Sequence, residues 1–161
     1  MQHVTMPVTQ PLDTDATLVG SIQSQFEAGG PPMMRNLGLR VTEAMHGRVR
    51  FELDVTPHVV HGGGVLCGQA IMGGMDTGMV FVMMSLNDGE MAPFTTVQLN
   101  TNFERAVPAG AGTVTFDAFV TKPGRSLVFG QIDLYLADGK RAASATTTYM
   151  WLPVPTSDAL S

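Results

Sequence analysis

The chain has 161 residues, of which 44% are hydrophobic and 14% charged, and its formal net charge is −5. This length suits one domain with a single core. Nucleic acids and anionic membranes attract basic surfaces, so an acidic chain without a run of Lys or Arg is expected to bind neither. The small number of charges predicts that self-association covers part of the surface.

The compartment is suggested by cysteine usage and by the first residues. Cys67 is the only cysteine, which excludes an internal disulfide and agrees with a reducing compartment, so we expect a cytoplasmic protein. The start, MQHVTMPVTQPLDTD, lacks the basic region and apolar core of a secretory signal. Segment 64–86 is apolar enough to suggest a membrane span, but its glycines, Asp76 and the lack of basic flanks argue against one.

The N-terminal part is predicted to be an arm followed by a short helix. Residues 1–13 contain prolines and no periodic pattern, which favours an arm. A helix over 16–28, capped by Asp13 or Asp15, is indicated by apolar residues that recur every four positions: Leu18, Ile22 and Phe26. Gly29-Gly30-Pro31-Pro32 ends it.

A hairpin and a long helix are predicted next. Strands over 37–44 and 48–55 are joined at His46-Gly47, and the second alternates charged and apolar residues as a half-buried strand does. The helix over 64–86 would be roughly 34 Å long at ~1.5 Å per residue. Its internal glycines each cost about 1 kcal/mol relative to Ala, so a neighbouring element must approach them closely.

Four further strands complete the pattern. They are predicted over 94–105, 112–121, 126–137 and 141–152, and Gly- or Pro-containing turns join them. A hairpin, one long helix and an antiparallel meander indicate an α+β architecture in which the helix covers one face of the sheet.

Asp76 is the one charged residue of the central helix. On a helix it shares a stripe with mostly apolar neighbours three and four positions away: Gln69, Met72, Gly73, Met79, Val80 and Met83. Burying an unpaired carboxylate costs several kcal/mol, so its presence here points to a function. The alternative is a purely structural hydrogen bond to a neighbouring element.

The segment VVHGGGVLCGQAIMGGMDTGM and the later TTVQLNTNFERAVPAG, KPGRSL and LADGKRAASATTTYMW carry a family resemblance. Their order and spacing resemble the hotdog-fold acyl-CoA thioesterases of the phenylacetate-pathway branch. That branch has an Asn, a glycine three residues on, a His-Gly-Gly and a helical Asp. Here His61, Gly64, Cys67-Gly68-Gln69 and Asp76 take these places. Reading His61-Gly62-Gly63 as the His-Gly-Gly would put Asp76 six residues too far along.

The resemblance implies a hotdog fold, in which an antiparallel sheet of about five to six strands wraps a long central helix. It divides the chain into an arm and short helix (1–34), a hotdog domain (35–153) and a tail (154–161). It also implies a homodimer or a dimer of dimers, acyl-CoA as substrate, and no metal or cofactor apart from the coenzyme A of the substrate.

The resemblance also assigns the catalytic roles. Asp76 would act as nucleophile or general base on the thioester carbonyl, and the Gly68 N–H at the helix start would stabilise the oxyanion. Gln69 would add a side-chain donor. Thr96, on the family's strand position, would orient water or substrate. Strict alternation, however, places Thr96 on the face opposite Leu99, where a partner subunit's Asp or solvent would meet it.

Two residues near the helix start have open interpretations. His61 either polarises the thioester and holds water, or its imidazole caps a backbone group in its own loop. Cys67 lies where a thiol nucleophile would be activated, yet no base for it is evident, so a small buried thiol at the substrate site is favoured.

Substrate contacts are expected from a turn and from methionines. Lys122 and Arg125 flank a Pro-Gly turn and would meet coenzyme A phosphates, unless they are simply a solvated hairpin tip. Met72 and Met79 would line an adaptable acyl pocket, although core packing is the commoner role of such a stripe.

Two other functions compete with hydrolysis. A hotdog 2-enoyl thioester dehydratase or hydratase uses a His before the helix and an acid on it, and His61 and Asp76 lie 15 residues apart. A non-catalytic acyl-CoA-binding protein would explain the Cys and Gln that replace His and Gly in the motif.

Overall fold

The computed structural model describes residues 10–154, so most of the predicted arm (1–9) and of the tail (155–161) lies outside the described residues. The helices are α1 (Ala16–Gly29), α2 (Pro32–Arg35) and α3 (Gly68–Ser85), with a 3₁₀ turn over Pro57–Val59. The strands are β1 (Arg40–Met45), β2 (Arg48–Asp54), β3 (Phe94–Phe103), β4 (Thr113–Lys122), β5 (Leu127–Tyr135) and β6 (Arg141–Trp151).

The six strands form one antiparallel sheet in the order β1-β2-β4-β5-β6-β3. Its inner face wraps α3, and the core lies between them, with Phe51 of β2 stacked on Phe116 of β4 at 4.8 Å between ring centroids. This confirms the α+β hotdog architecture that the sequence predicts. β3 lies at one end of the sheet and, within residues 10–154, pairs only with β6.

The glycines of α3 allow the helix to lie directly on the sheet. A Cβ at Gly74 would collide with the Phe116 ring, and one at Gly78 would come within 2.9 Å of the Phe51 ring. Both rings therefore occupy space that any side chain would fill. The predicted close approach is confirmed, and its packing offsets the low helix propensity of glycine.

α3 begins at Gly68, four residues later than the predicted start at 64. Gly64 has φ +75° in a tight turn, which continues no helix. Beyond it the chain is extended, because Leu66 N–H donates to Val107 O and Cys67 N–H donates to Val59 O. These tertiary hydrogen bonds hold Leu66 and Cys67 in an extended conformation, so the apolar residues before Gly68 do not join the helix.

α1 packs on the same core as the sheet and α3. Asp15 caps it, accepting from the N–H groups of Thr17 and Leu18, so the second of the two predicted caps is used. Phe26 meets Phe81 of α3 edge-on at 5.1 Å between centroids. α2, a single turn absent from the sequence prediction, follows the Gly-Pro stretch and brings Met34 against Gly73 of α3.

The outer face of the sheet carries an ion-pair cluster. Asp117 of β4 is 2% exposed and accepts from Arg48 at 2.6 Å and from Arg50 at 3.2 Å. Arg50, only 1% exposed, also meets Glu43 at 3.0 Å and Gln10 O at 2.6 Å. The charged face predicted for β2 is therefore confirmed, but Arg50 on that face is buried and not exposed to solvent.

The apolar segment considered above as a membrane span forms α3 inside this core. In the part of the chain that the structure describes, no helix is long and apolar enough to cross a membrane.

Candidate active site

An open cavity of about 980 Å³ runs along one flank of α3. Its wall on α3 includes Gln69, Met72, Gly73, Asp76, Val80 and Met84. The opposite wall is formed by the end of α1, the segment through α2 to Leu37, and the 3₁₀ turn, while β3 contributes Thr96 and Leu99. The size matches the cavities that hold small-molecule ligands.

Asp76 lies on this cavity with one carboxylate oxygen held and the other open. Its Oδ1 accepts from Thr96 Oγ1 at 3.0 Å and from the Tyr149 hydroxyl at 2.6 Å. Its Oδ2 accepts no hydrogen bond within residues 10–154 and is not buried from solvent. The carboxylate is thus oriented by two neutral donors and presents its second oxygen to the cavity.

A β-bulge in β3 brings Thr96 to Asp76, and this corrects the predicted face of Thr96. Thr96 pairs with Tyr149 and Gln98 with Thr148, so one extra residue, Val97, lies between the two pairs. The extra residue shifts the alternation, and Thr96 comes to lie on the cavity together with Leu99. Strict alternation fails at this point. Thr96 hydrogen-bonds the Asp76 of its own chain.

Tyr149 is the contact that sequence reasoning missed. It is 1% exposed on β6, and its hydroxyl also lies 3.0 Å from the backbone oxygen of Asp76. Burial, followed by the hydrogen bond to Asp76, raises the pKa of Tyr149 far above its ordinary value. It therefore stays a protonated donor at neutral pH. A buried Tyr needs a partner, and an inward-facing Tyr on the last strand was a signal that could have found it.

The start of α3 offers free backbone donors beside the cavity. Within the described chain, the N–H groups of Gly68, Gln69 and Ala70 have no hydrogen-bond acceptor. The Cys67 side chain does not cap the helix, and Cys67 and Gln69 line the cavity on either side of Gly68. The Phe103 ring covers Gly68, 3.6 Å from where a Cβ would be. Such orphan N–H groups favour an anion or a developing oxyanion.

His61 does not line the cavity. It is exposed, and its Nδ1 accepts from the N–H of Gly63 at 2.8 Å. Of the two interpretations given above, the structure places the imidazole as a cap within its own loop. His58, which the sequence analysis did not single out, does line the cavity, with Nε2 3.3 Å from Asn36 O.

The two predicted methionines lie on different sides of α3. Met72 is partly exposed on the cavity, whereas Met79 is fully buried in the core, where its sulfur fills the space above Gly130. Met34 and Met91 are further cavity residues that the sequence did not assign.

Lys122 and Arg125 lie apart from the cavity in this chain. Both are exposed at the β4–β5 turn. That end of the sheet neighbours the C-terminal end of α3, since Val120 N–H donates to Gly47 O and Gly47 N–H donates to Ser85 Oγ. Gly68 is at the opposite end of the helix, so the coenzyme A role of the two cations stays a prediction.

The fold and the helical carboxylate define the class: a hotdog α+β protein with an acid on its central helix. The family model described as the Thioesterase superfamily matches residues 58–143, more than half of the chain, and the protein belongs to that superfamily. No curated protein matches the sequence significantly.

Solved structures share the fold over nearly their whole length. A thioesterase family protein from Silicibacter pomeroyi is 27% identical with a TM-score of 0.73, covering 85% of this chain and 99% of that one. The PaaI protein of the E. coli phenylacetic acid degradation operon is 17% identical, with a TM-score of 0.72 and coverage of 84% and 96%. The smu.793 protein of Streptococcus mutans, bound to acetyl CoA, is 18% identical, with a TM-score of 0.66 and coverage of 73% and 91%.

Proposed function

We propose that the protein hydrolyses an acyl-CoA thioester to a free acid and coenzyme A. The observation that carries this proposal is the Asp76 carboxylate, which is held at Oδ1 by Thr96 and Tyr149 and open at Oδ2 toward the cavity. Gly68 and Asp76 are eight residues apart on α3, roughly 12 Å at ~1.5 Å per residue, so the helix N–H that acts as oxyanion donor beside this carboxylate would come from a partner subunit.

In this mechanism the thioester carbonyl oxygen lies against the Gly68 N–H of a partner subunit, which the proposed homodimer would bring to Asp76. As a nucleophile, Asp76 Oδ2 attacks the carbonyl carbon, the C–S bond breaks with release of the coenzyme A thiolate, and water then hydrolyses the acyl–aspartyl anhydride. As a general base, Asp76 takes a proton from the water that attacks the same carbon. In both routes Gly68 stabilises the charge that develops on the carbonyl oxygen, and Gln69 adds a side-chain donor.

Coenzyme A is the proposed carrier, and a second copy of the chain the proposed partner. The S. mutans neighbour was solved with acetyl CoA, and Lys122 and Arg125 are exposed cations suited to phosphates. β3 has an outer edge without a strand partner in the described chain, which favours a homodimer or a dimer of dimers through that edge. The free Cys67 agrees with a cytoplasmic location.

The test is release of free thiol from a panel of acyl-CoAs by wild type and by Asp76→Asn. Asn keeps an acceptor for Tyr149 but supplies neither nucleophile nor base, so we expect a loss of roughly 10²-fold or more in kcat. Asp88→Asn, in the exposed turn after α3, is the matched control and should keep full activity. Equal rates in wild type and Asp76→Asn would refute the mechanism.

The competing functions have their own signals in the same samples. Loss of enoyl absorbance with 2-enoyl-CoA would reveal a hydratase, and absence of thiol release from every substrate would favour the non-catalytic acyl-CoA-binding alternative. His61, the histidine that a hydratase would use, is turned into its own loop.

A further inference from the structure

The cavity has a polar end and an apolar end on either side of Asp76. Toward the start of α3 lie Cys67, Gln69 and the free N–H groups, which form the polar end. Toward the other end, α3 contributes Val80 and Met84, and Phe26 and Met91 face them. Asp76 and Met84 are eight residues apart, so this apolar arm extends roughly 12 Å along the helix at ~1.5 Å per residue.

The polar side chain nearest the far end of this arm is already engaged. Gln25 donates through Nε2 to Gly89 O at 3.1 Å and to Glu90 at 2.6 Å, and its Oε1 accepts from Met91 N–H at 2.9 Å. A polar substrate group at this end of the arm would either displace these bonds or lose its water without gaining a hydrogen-bond partner. Both outcomes cost free energy.

His58, a polar lining residue of the facing wall, is engaged in the same way. His58 contacts Thr56 through Nδ1 and Asn36 O through Nε2, each at 3.3 Å. The middle of the cavity is lined by Gly73, Met34 and Leu37, with polar groups at Asp76, Thr77, Thr96 and Asn36. Flexible methionine side chains adjust to ligands of different shape, as a long acyl chain requires.

We propose that the arm from Asp76 to Met84 binds a flexible aliphatic acyl chain of medium or greater length, which passes over Val80. This inference rests on the proposed function, because the same Asp76 would cleave the thioester at the head of that chain. Short acyl groups would leave the arm unfilled. A rigid aromatic acyl group, which is shorter than a dodecanoyl chain, would leave the far end of the arm near Met84 unfilled.

Binding tests the inference without turnover. Asp76→Asn is titrated by calorimetry with acetyl-CoA, octanoyl-CoA, dodecanoyl-CoA and hydroxyphenylacetyl-CoA, below their micelle concentrations. Each buried methylene contributes favourably, so dodecanoyl-CoA should bind about tenfold or more tightly than acetyl-CoA and hydroxyphenylacetyl-CoA. Equal affinities, or tightest binding of the aromatic or acetyl thioester, would overturn the inference even if the enzyme hydrolyses thioesters.

Val80→Phe in the same background locates the chain. Val80 is one turn beyond Asp76 on the cavity wall, and the larger ring should weaken dodecanoyl-CoA binding about tenfold while acetyl-CoA changes by less than about twofold. Val19→Phe is the matched control, because Val19 is half-buried on α1 outside the cavity. An equal effect of both substitutions, or none of Val80→Phe, would contradict the assigned arm.

A second pair covers the case in which Val80→Phe fails to fold. Gly73→Leu adds a side chain toward the end of Met34, a flexible group that is able to move, whereas Gly20→Leu enters open space on α1. Gly73→Leu should weaken dodecanoyl-CoA more than acetyl-CoA, and Gly20→Leu should change neither. The ratio of the two affinities is the readout. Failure of wild-type thiol release with a preserved ratio would refute hydrolysis and leave the chain-binding inference standing.

Discussion

Asp76 and Asp117 are both held by hydrogen bonds within one small domain, yet their surroundings differ in kind. Asp117 lies on the outer face of the sheet between two guanidinium groups, and both of its oxygens are used by Arg48 and Arg50. Asp76 lies on the inner side, where hydroxyl groups hold one oxygen and leave the other open. The arrangement around Asp117 neutralises its charge, whereas the arrangement around Asp76 fixes the direction of the carboxylate and leaves one oxygen free.

The difference teaches how a structural carboxylate is told apart from a reactive one. A charge matched by Arg is stabilised in place and is unavailable to a substrate. A charge held only by neutral donors keeps its nucleophilic or basic capacity, and the donors fix its direction. The following predictions test whether that distinction holds, first for the two aspartates and then for the groups around them.

The largest effect is expected from Asp76→Asn, and on activity only. Besides the loss of kcat given above, its free energy of unfolding should change by less than about 1 kcal/mol, since the amide oxygen still accepts from Tyr149 and Thr96. Urea unfolding followed by circular dichroism measures this. Severe destabilisation would mean that Asp76 is a structural carboxylate like Asp117.

Asp117→Asn should show the opposite pattern. Removing the Asp117 charge leaves the positive charges of Arg48 and the buried Arg50 less well compensated, so the free energy of unfolding should fall by about 3 kcal/mol. The folded variant should keep kcat, because the outer face does not touch the cavity. Asp54→Asn, at the exposed ion pair with Arg40, is the control and should leave the urea midpoint unchanged. If Asp117→Asn were as stable as wild type but had a reduced kcat, Asp117 would be a functional rather than a structural carboxylate, contrary to the comparison.

Two tyrosines allow a smaller version of the same test. The Tyr149 hydroxyl donates to Asp76, and that of Tyr135 to Asp133 on the outer face at 3.3 Å. Tyr149→Phe removes one of two donors that orient the reactive carboxylate, so kcat should fall about tenfold with about 1 kcal/mol lost in stability. Tyr135→Phe should leave kcat unchanged. Steady-state kinetics and thermal unfolding of both variants decide the outcome.

The smallest effect is expected at the exposed cations. If Lys122 and Arg125 meet phosphates, the double substitution to Ala should raise KM for acyl-CoA about threefold at low salt, with kcat unchanged. At high salt the difference should disappear. The same substitution should not alter KM for an acyl-pantetheine thioester, which lacks those phosphates. A KM that is unchanged for acyl-CoA at every salt concentration would show a solvated hairpin tip.

The sequence predicts the elements closely and the contacts between them less well. Periodicity, turns and caps are local, and they place the helix over 16–28 and all six strands within a few residues of those observed. The start of α3 is misplaced because Leu66 N–H donates to Val107 O and Cys67 N–H donates to Val59 O, contacts outside the helix that the local sequence does not reveal. The position of Thr96 is misassigned because a bulge at Val97 is a property of strand pairing, which alternation along one strand does not contain.

The sequence by itself determined that one acid lies on a glycine-rich central helix that covers an antiparallel sheet, since spacing along the chain fixes which residues share a helix or strand face, and the family resemblance implied the hotdog fold. Only the tertiary structure decided how that acid is held. Tyr149 is 73 residues away along the chain, and the facing wall of the cavity comes from the α1–α2 segment, most of which the sequence placed outside the hotdog domain, in the arm and short helix over 1–34. Such contacts depend on how separate elements pack, and no local sequence pattern indicates the hydrogen bonds that form between them.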